Sequence, residues 1–311
     1  KDIESQRFLY ITRVVGLVVL FRIGRFEEVL ASTIEIERFF SSHFPDDPIL
    51  PRLFILSGAA AHKLGRYQKA DEDLNTSLTL MKSKHPTDSM LAYTPLTIAY
   101  NLTIMGDLKR ADAILQEERQ KVAYTSTHEK RDEVTIQRIL IEKLAAEWHI
   151  KNHDGPAAVE ASLSALGIES RYNGNNLGLI SDILDILSRG LSESNTSTSI
   201  AIGKLVANYN QNTKRNLSDL DDKKYLSLFS KSVDSIYRSL YDLLVKSDRL
   251  AEAQHVLDAQ KIIEYSDYSG ISSPYSQISD IPYTGAEKHF TDALVLALSK
   301  MNNLQLSLIH I

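Results

Sequence analysis

The sequence predicts an all-α protein, a solenoid of about six stacked helical hairpins. Three observations carry this. Gly24, Gly65 and Gly106 recur at a step of 41 residues, opening the segments Gly24-Arg25-Phe26-Glu27-Glu28-Val29, Gly65-Arg66-Tyr67-Gln68-Lys69-Ala70 and Gly106-Asp107-Leu108-Lys109-Arg110-Ala111. A fixed step of this size is a signature of repeat architectures. Between these segments, Leu, Ala, Glu, Lys and Gln fall at helical spacing over long stretches. With 13 Gly and 8 Pro in 311 residues, the chain is poor in the turn formers that a β-sandwich needs.

Each copy reads in the same way. A helix ends at the glycine, which tolerates the backbone conformation a helix end requires. An aromatic or Leu two residues on plugs the corner, and a second amphipathic helix begins. A small residue five positions on, such as Ala70 or Ala111, lets the two helices approach closely. Weaker copies stand at Asn152-His153-Asp154-Gly155-Pro156-Ala157 and Asp248-Arg249-Leu250-Ala251-Glu252-Ala253.

The predicted hairpins are 3–43, 49–83, 88–124, 130–167, 176–212 and 222–267. Stop signals between them are Pro45-Asp46-Asp47-Pro48, His85-Pro86-Thr87-Asp88, Thr125-Ser126-Thr127 and Asn173-Gly174-Asn175-Asn176. Thr87, Thr127 and Ser218 are the expected N-caps. The hairpin 176–212 lacks the glycine–aromatic turn and is expected to be helical without following the repeat. The repeat array is thus expected over 1–267. Residues 268–285, rich in Ser, Tyr and Gly, read as a linker. Residues 286–305 read as a C-terminal helix leading to a further domain. The final 306–311 read as a non-native tail, resembling the translated read-through of a sequencing adapter. The chain begins at Lys1 without a Met, as a fragment or processed piece would.

These residues resemble the tetratricopeptide repeat. Phe54, Gly58, Ala61, Gly65, Tyr67, Ala70 and Leu74 stand where that repeat places its large and small residues. So do Leu96, Ala99, Leu102, Gly106, Leu108, Ala111 and Leu115, then Ile141, Ala145, Trp148 and Ala157. A last set is Tyr237, Tyr241, Leu244, Leu250, Ala253 and Leu257, with Tyr241 in place of the usual small residue. The resemblance implies a right-handed α-solenoid. The usual period is about 34 residues, and the longer step here is similar to the variant of kinesin light chains, down to His85-Pro86.

A narrower resemblance covers about 233–290. Val233-Asp234-Ser235-Ile236-Tyr237-Arg238-Ser239-Leu240-Tyr241-Asp242-Leu243-Leu244 leads into Asp248-Arg249-Leu250-Ala251-Glu252-Ala253-Gln254-His255-Val256-Leu257-Asp258, then Lys261, Glu264-Tyr265 and Tyr268. With Pro282-Tyr283-Thr284-Gly285-Ala286-Glu287 after a variable loop, this resembles the last repeat before the peptidase-like domain of the TPR–CHAT family. That resemblance implies a larger parent with a C-terminal caspase-like cysteine peptidase or pseudo-peptidase, regulated by its repeats. The present chain has no Cys and cannot itself carry that activity.

Composition excludes other classes. Net charge is −5 and the isoelectric point about 6.0, with no basic patch for a nucleic-acid backbone. The absence of Cys removes disulfides, thiolate zinc sites and a cysteine nucleophile. The most apolar run, Val14-Val15-Gly16-Leu17-Val18-Val19-Leu20-Phe21, is bracketed by Arg13 and Arg22 and is too short to span a bilayer. No membrane partner is therefore expected; the expected location is cytoplasmic, with a lost signal peptide as the alternative because the chain lacks a start Met. His149 and His153 are four apart, near Glu147 and Asp154, and could offer two imidazoles to a metal. No motif supplies further ligands, so two surface histidines at a helix end is the favoured reading. Gly174-Asn175-Asn176-Leu177-Gly178 lacks the Gly-Lys-Ser/Thr ending of a phosphate loop. No catalytic residue, metal or cofactor is expected.

The expected function is to present a binding surface to a protein or peptide. Stacked hairpins bury a continuous core and leave a groove lined by the first helix of each pair. In this register the groove residues are Arg52, His62, Tyr93, Tyr100, Thr103, Glu142, His149, Arg238 and Asp242, a set with no dominant charge sign. The alternatives are a stand-alone adaptor or sensor of a bacterial signalling or transcription-regulating protein, and a helical enzyme using His149 and nearby acids.

Overall fold

A computed structural model of the chain describes residues 2–124, 131–172, 176–218, 223–269 and 279–302. All regular structure among the described residues is helical, as the sequence predicts. The α-helices are α1 (Ile3–Arg22), α2 (Phe26–His43), α3 (Ile49–Lys63), α4 (Tyr67–Lys84), α5 (Thr94–Met105), α6 (Leu108–Tyr124), α7 (Arg131–Lys151), α8 (Gly155–Tyr172), α9 (Leu177–Leu191), α10 (Thr196–Ser218), α11 (Lys223–Lys246), α12 (Leu250–Ser269) and α13 (Gly285–Asn302). A 3-10 turn, Ser89–Ala92, precedes α5. The chain divides into two units, Lys1–Ala123 and Tyr124–Ile311. Thr127, Asn173-Gly174-Asn175, residues 270–278 of the expected linker and the tail 306–311 lie outside the described residues.

In the first unit, α1/α2 and α3/α4 are hairpins, and α5 packs on α4. Gly24, Gly65 and Gly106 all have positive φ, at 77°, 73° and 86°. Each turn is closed by the same backbone hydrogen bond, in which the residue after the glycine donates to the carbonyl five positions back. These bonds run from Arg25 to Leu20, Arg66 to Ala61 and Asp107 to Leu102, at 2.9–3.0 Å. This is the six-to-one closure of a Schellman motif, which satisfies a carbonyl orphaned at the helix end. The turn delivers Val29, Ala70 and Ala111, each fully buried, to the helix–helix seam. Gly58 lies opposite Ala70 and Leu74, so closely that a Cβ there would come within 2.8 Å of Leu74 Cγ.

Adjacent hairpins then share two apolar clusters. One joins Val14 and Leu17 of α1, Ile36 and Phe40 of α2, and Leu50 and Leu53 of α3. The other joins Val29, Leu30, Ala60, Ala61 and Ala70. Ion pairs between neighbouring hairpins also lie about one step apart in sequence, Arg66 with Glu27 at 2.7 Å and Arg110 with Asp71 at 3.2 Å. Exposed pairs of this kind contribute about 0–1 kcal/mol each, so apolar burial holds the stack. Two expected caps are corrected. Asp88, not Thr87, caps the 3-10 turn, its carboxylate accepting from Met90 N at 2.9 Å. Ser218 is the last residue of α10 rather than a helix start.

The second unit keeps the turn and changes its residues. His153 and Asp248 both sit at φ 58°, where the first unit has glycine. Asp154 donates to the His149 carbonyl and Arg249 to the Leu244 carbonyl, both at 2.9 Å, repeating the same closure. The turn residue of the fourth copy is therefore His153, one later than the sequence alignment placed it, and the buried small residue is Ala158 rather than Ala157. Two residues after this turn stands Gly155 instead of an aromatic or Leu. A Cβ there would lie 2.8 Å from the Gly190 carbonyl, so the start of α8 meets the end of α9 backbone to backbone. The α9/α10 hairpin has no left-handed turn. Its buried seam is tied by Ser188 Oγ donating to the Ser199 carbonyl at 2.8 Å and Ser199 Oγ to the Ser188 carbonyl at 2.6 Å.

Consecutive helices pack on one another from α7 to α12, and α13 returns onto α10 and α8. The core includes Ile183, Leu187, Ile200, Val206, Tyr237, Leu240, Leu244 and Val256, with Phe290, Leu294 and Leu298 of α13 packed half-buried against it.

The positive-φ turns make opposite predictions for the two residue types. Gly106→Ala is expected to lower unfolding stability by about 1–2 kcal/mol, because a Cβ opposes the left-handed conformation. Asp248→Gly is expected to raise it by up to about 1 kcal/mol for the same reason. Urea unfolding followed by circular dichroism measures both.

Candidate functional site

Of the nine expected groove residues, five lie in the first unit and four in the second. In the first unit, Arg52 is exposed on α3 and its guanidinium lies 3.0 Å from Asp88. Burial pushes the Asp88 carboxyl up, but the Met90 amide and Arg52 more than reverse this and leave it below the ordinary range. His62 and Tyr100 do come together. The His62 ring lies 5.0 Å from Tyr100 and 5.3 Å from Tyr67, and its Nδ1 is 2.8 Å from Asn101 Oδ1. Because Asn101 Nδ2 donates to the Tyr67 carbonyl at 2.9 Å, its oxygen faces the imidazole and His62 Nδ1 is the donor. Burial pulls the His62 pKa down, so it is held neutral as a structural bridge between α3 and α5. Tyr93 is half-buried where the 3-10 turn joins α5. Thr103 is 1% exposed and donates to the Ala99 carbonyl at 2.9 Å. It is a core residue, and its place on a binding face is corrected.

In the second unit, Glu142 and His149 are half-buried on α7. The His149 ring stands edge-on to Trp148 at 4.9 Å, and its Nδ1 is 3.7 Å from Asp154. His153 is exposed at the hairpin turn. Among the described residues, no group of three or more His, Asp or Glu side chains could hold a metal ion. Arg238 is exposed on α11, one turn from its partner Asp234 at 2.9 Å, and Asp242 is exposed one turn further on.

Sequence reasoning missed a cleft in the second unit. A cleft of about 490 Å³ lies between α9, α10 and α13. Its walls are apolar, from Ile180 and Leu184 on α9, Leu205 and Val206 on α10, and Val295, Leu296 and Leu298 on α13. Asn212, Asp280, Tyr283, Lys288 and Asp292 add polar groups. The size and this mixture are those of sites that hold an apolar ligand group and orient it by a few polar atoms. The polar groups are themselves braced. Arg215 pairs with Asp280 at 3.0 Å and Lys288 with Asp292 at 2.8 Å. Burial pushes the Tyr283 phenol up to about 12, so it stays protonated and able to donate.

What sets α13 over the cleft is a buried polar latch. Thr284 and Glu287 form a capping box at its start: Thr284 N donates to Glu287 Oε2 at 2.8 Å and Glu287 N to Thr284 Oγ1 at 3.3 Å. The Asn208 side chain pairs with both backbone groups of Ile281, at 3.0 and 2.7 Å. Lys204, fully buried on α10, donates to the Pro282 carbonyl at 2.7 Å, to Glu287 at 2.8 Å and to Glu252. Arg249 bridges the same two carboxylates, at 2.6 Å to Glu287 and 2.7 Å to Glu252. Burial alone would raise the Glu287 pKa, but Arg249 and Lys204 outweigh it and bring it to about 2. The Pro282–Glu287 stretch was singled out in the sequence only for its resemblance; its Thr-x-x-Glu pattern is the signal that could have named the cap. Nothing local marked Lys204.

A second unusual cluster lies in the first unit. Glu37 of α2 and Asp73 of α4 each bury a carboxylate oxygen that has no hydrogen-bond partner, while Lys69 reaches Asp73 at 2.5 Å. Burial first, and then the charge of Asp73, push the Glu37 pKa up to about 7.

Compared with known proteins, the chain matches no protein-family model and no curated protein.

Two predictions follow from these clusters. Lys204→Met leaves Glu287 buried with only Arg249 to balance it, and is expected to cost about 3 kcal/mol, the range for breaking a buried pair. Hydrogen exchange should show the loss as faster exchange of the α13 amides. Glu37 has a folded pKa above its unfolded value, so its favourable contribution is complete below about pH 4.5 and is lost as pH rises through 7. Relative to wild type, Glu37→Gln is expected to gain about 1–2 kcal/mol between pH 5 and pH 8, after discount for partial exposure. Paired urea titrations at the two pH values measure it.

Proposed function

We propose that the chain is a binding protein built from tetratricopeptide-type hairpins, and that it takes a segment of a partner protein into the cleft beneath α13. One observation carries this reading: the cleft is large enough for one or two apolar side chains, its walls are apolar, and a buried latch holds its roof in place. Repeated hairpin turns of one geometry support the repeat class. Such repeats suit peptide capture, because a preformed helical surface loses little entropy on binding.

In this reading the chain is the regulatory repeat region of a larger protein with a caspase-like domain. Two features support that extension. The Pro282–Glu287 stretch resembles the approach to that domain, and it is the stretch the latch grips. A partner that fills the cleft touches Leu296 and Val295 of α13, so occupancy is felt by the element that leads onward in the chain.

Peptides selected from a random display library on the purified chain test the proposal. They are expected to share apolar anchor residues and to bind at least about tenfold more weakly to Leu296→Glu. Leu296 lines the cleft yet is half exposed, so the substitution leaves the fold intact. Equal binding to both proteins, or no selected peptides, refutes the cleft as the site.

A further inference from the structure

A second surface, independent of the cleft, comes from the register of the first unit. Positions 53, 57 and 60 of α3 recur as 94, 98 and 101 of α5, one 41-residue step later. Leu53, Ser57 and Ala60 are buried, and so are Thr94, Ile98 and Asn101. Both sets face the second helix of the hairpin before them. On α5, Asn101 donates to the Tyr67 carbonyl of α4 at 2.9 Å, and Thr94 Oγ1 lies 3.9 Å from Met81 Sδ of α4. On α3, Leu53 clusters with Ile36 and Phe40 of α2, and Ala60 with Val29 and Leu30 of α2.

One step earlier, the same positions on α1 are Thr12, Gly16 and Val19, and all three are exposed. Phe8 and Val15 flank them at the positions of Ile49 and Leu56, which are partly buried in the α2/α3 clusters. Phe8 is 73% exposed, Val15 64% and Val19 51%. A run of large apolar side chains exposed on one helix face is unusual for a protein surface and marks an interaction site. At its centre a Cβ on Gly16 would meet nothing within 4 Å, so an approaching helix finds open space between larger neighbours.

We infer that this face of α1 is a docking surface for an amphipathic helix of the α2 kind, presented by a partner's helical hairpin. The occupant is defined by continuity with the α2/α3 and α4/α5 interfaces. It carries an aliphatic and aromatic stripe spaced like the buried Val29, Thr33, Ile36 and Phe40 of α2. That stripe sets its ridges between Phe8, Val15 and Val19, as helix ridges fill grooves elsewhere in the stack.

The test uses the full chain and a hydrocarbon-stapled peptide of residues 26–43, stapled on its polar face and confirmed helical by circular dichroism. Fluorescence anisotropy is expected to show saturable binding that weakens at least about tenfold in the double variant Val15→Lys, Val19→Lys. Both side chains are exposed, so the variant keeps the wild-type spectrum and melting temperature. A helical peptide that does not bind, or binds both proteins equally, overturns the inference. Sedimentation equilibrium gives a third outcome: a wild-type dimer that the double variant dissolves would assign the face to a second copy of the chain and overturn the partner named here.

Discussion

The constraint on which most of the rest depends is one residue held at positive φ in each described hairpin except α9/α10. It permits the six-to-one hydrogen bond that ends the first helix and reverses the chain within a few residues. Reversal fixes which residue arrives opposite which. In the first unit it brings Ala70 under Gly58, and that contact has no room for a Cβ on Gly58. Helices that close have one buried seam and a second apolar face left over. The leftover face is buried by the next hairpin, which is why the cores of the first unit run across hairpin boundaries as well as within hairpins.

This explains which parts of the fold could be read from sequence. The three glycine turns were legible because only glycine adopts that conformation without strain, so the 41-residue step stood out. His153 and Asp248 perform the same task with side chains that have many other reasons to occur. Without a glycine to anchor it, the alignment of the fourth copy slipped by one residue and named Ala157 in place of Ala158. Gly155 is a glycine for close backbone approach to Gly190, not for a left-handed turn, and residue identity alone does not separate the two uses. The α9/α10 hairpin replaced the turn by a reciprocal serine pair, a device with no periodic trace.

The candidate site was less legible still, because it is assembled from distant positions. Lys204 meets its partners across 48, 78 and 83 residues. In its own helix it sits among Ile, Gly, Leu and Val and reads as one polar residue of an amphipathic pattern. Two residues of the groove list were misjudged for a related reason. Helical periodicity finds the face opposite the core of one hairpin, but in a stack that face is also where the neighbour packs. Thr103 is therefore buried and His62 is committed to Asn101. The exposed apolar face of α1 is the complement of this: the same register without a neighbour.

The latch makes a different contribution from the apolar contacts around it. Phe290, Leu294 and Leu298 bury only part of their surface against the repeats. Such contacts are non-directional, and a helix held by them alone could slide by a turn and still cover similar area. Glu287 allows no such shift, because a slide of about 5.4 Å would pull its carboxylate from both Lys204 and Arg249, which would keep only Glu252 between them. Desolvation makes the net stabilisation from these pairs small, so their effect is on register. They fix α13 in one position over the cleft. The cleft therefore lies beneath a helix whose register is set by directional polar contacts rather than by apolar area alone.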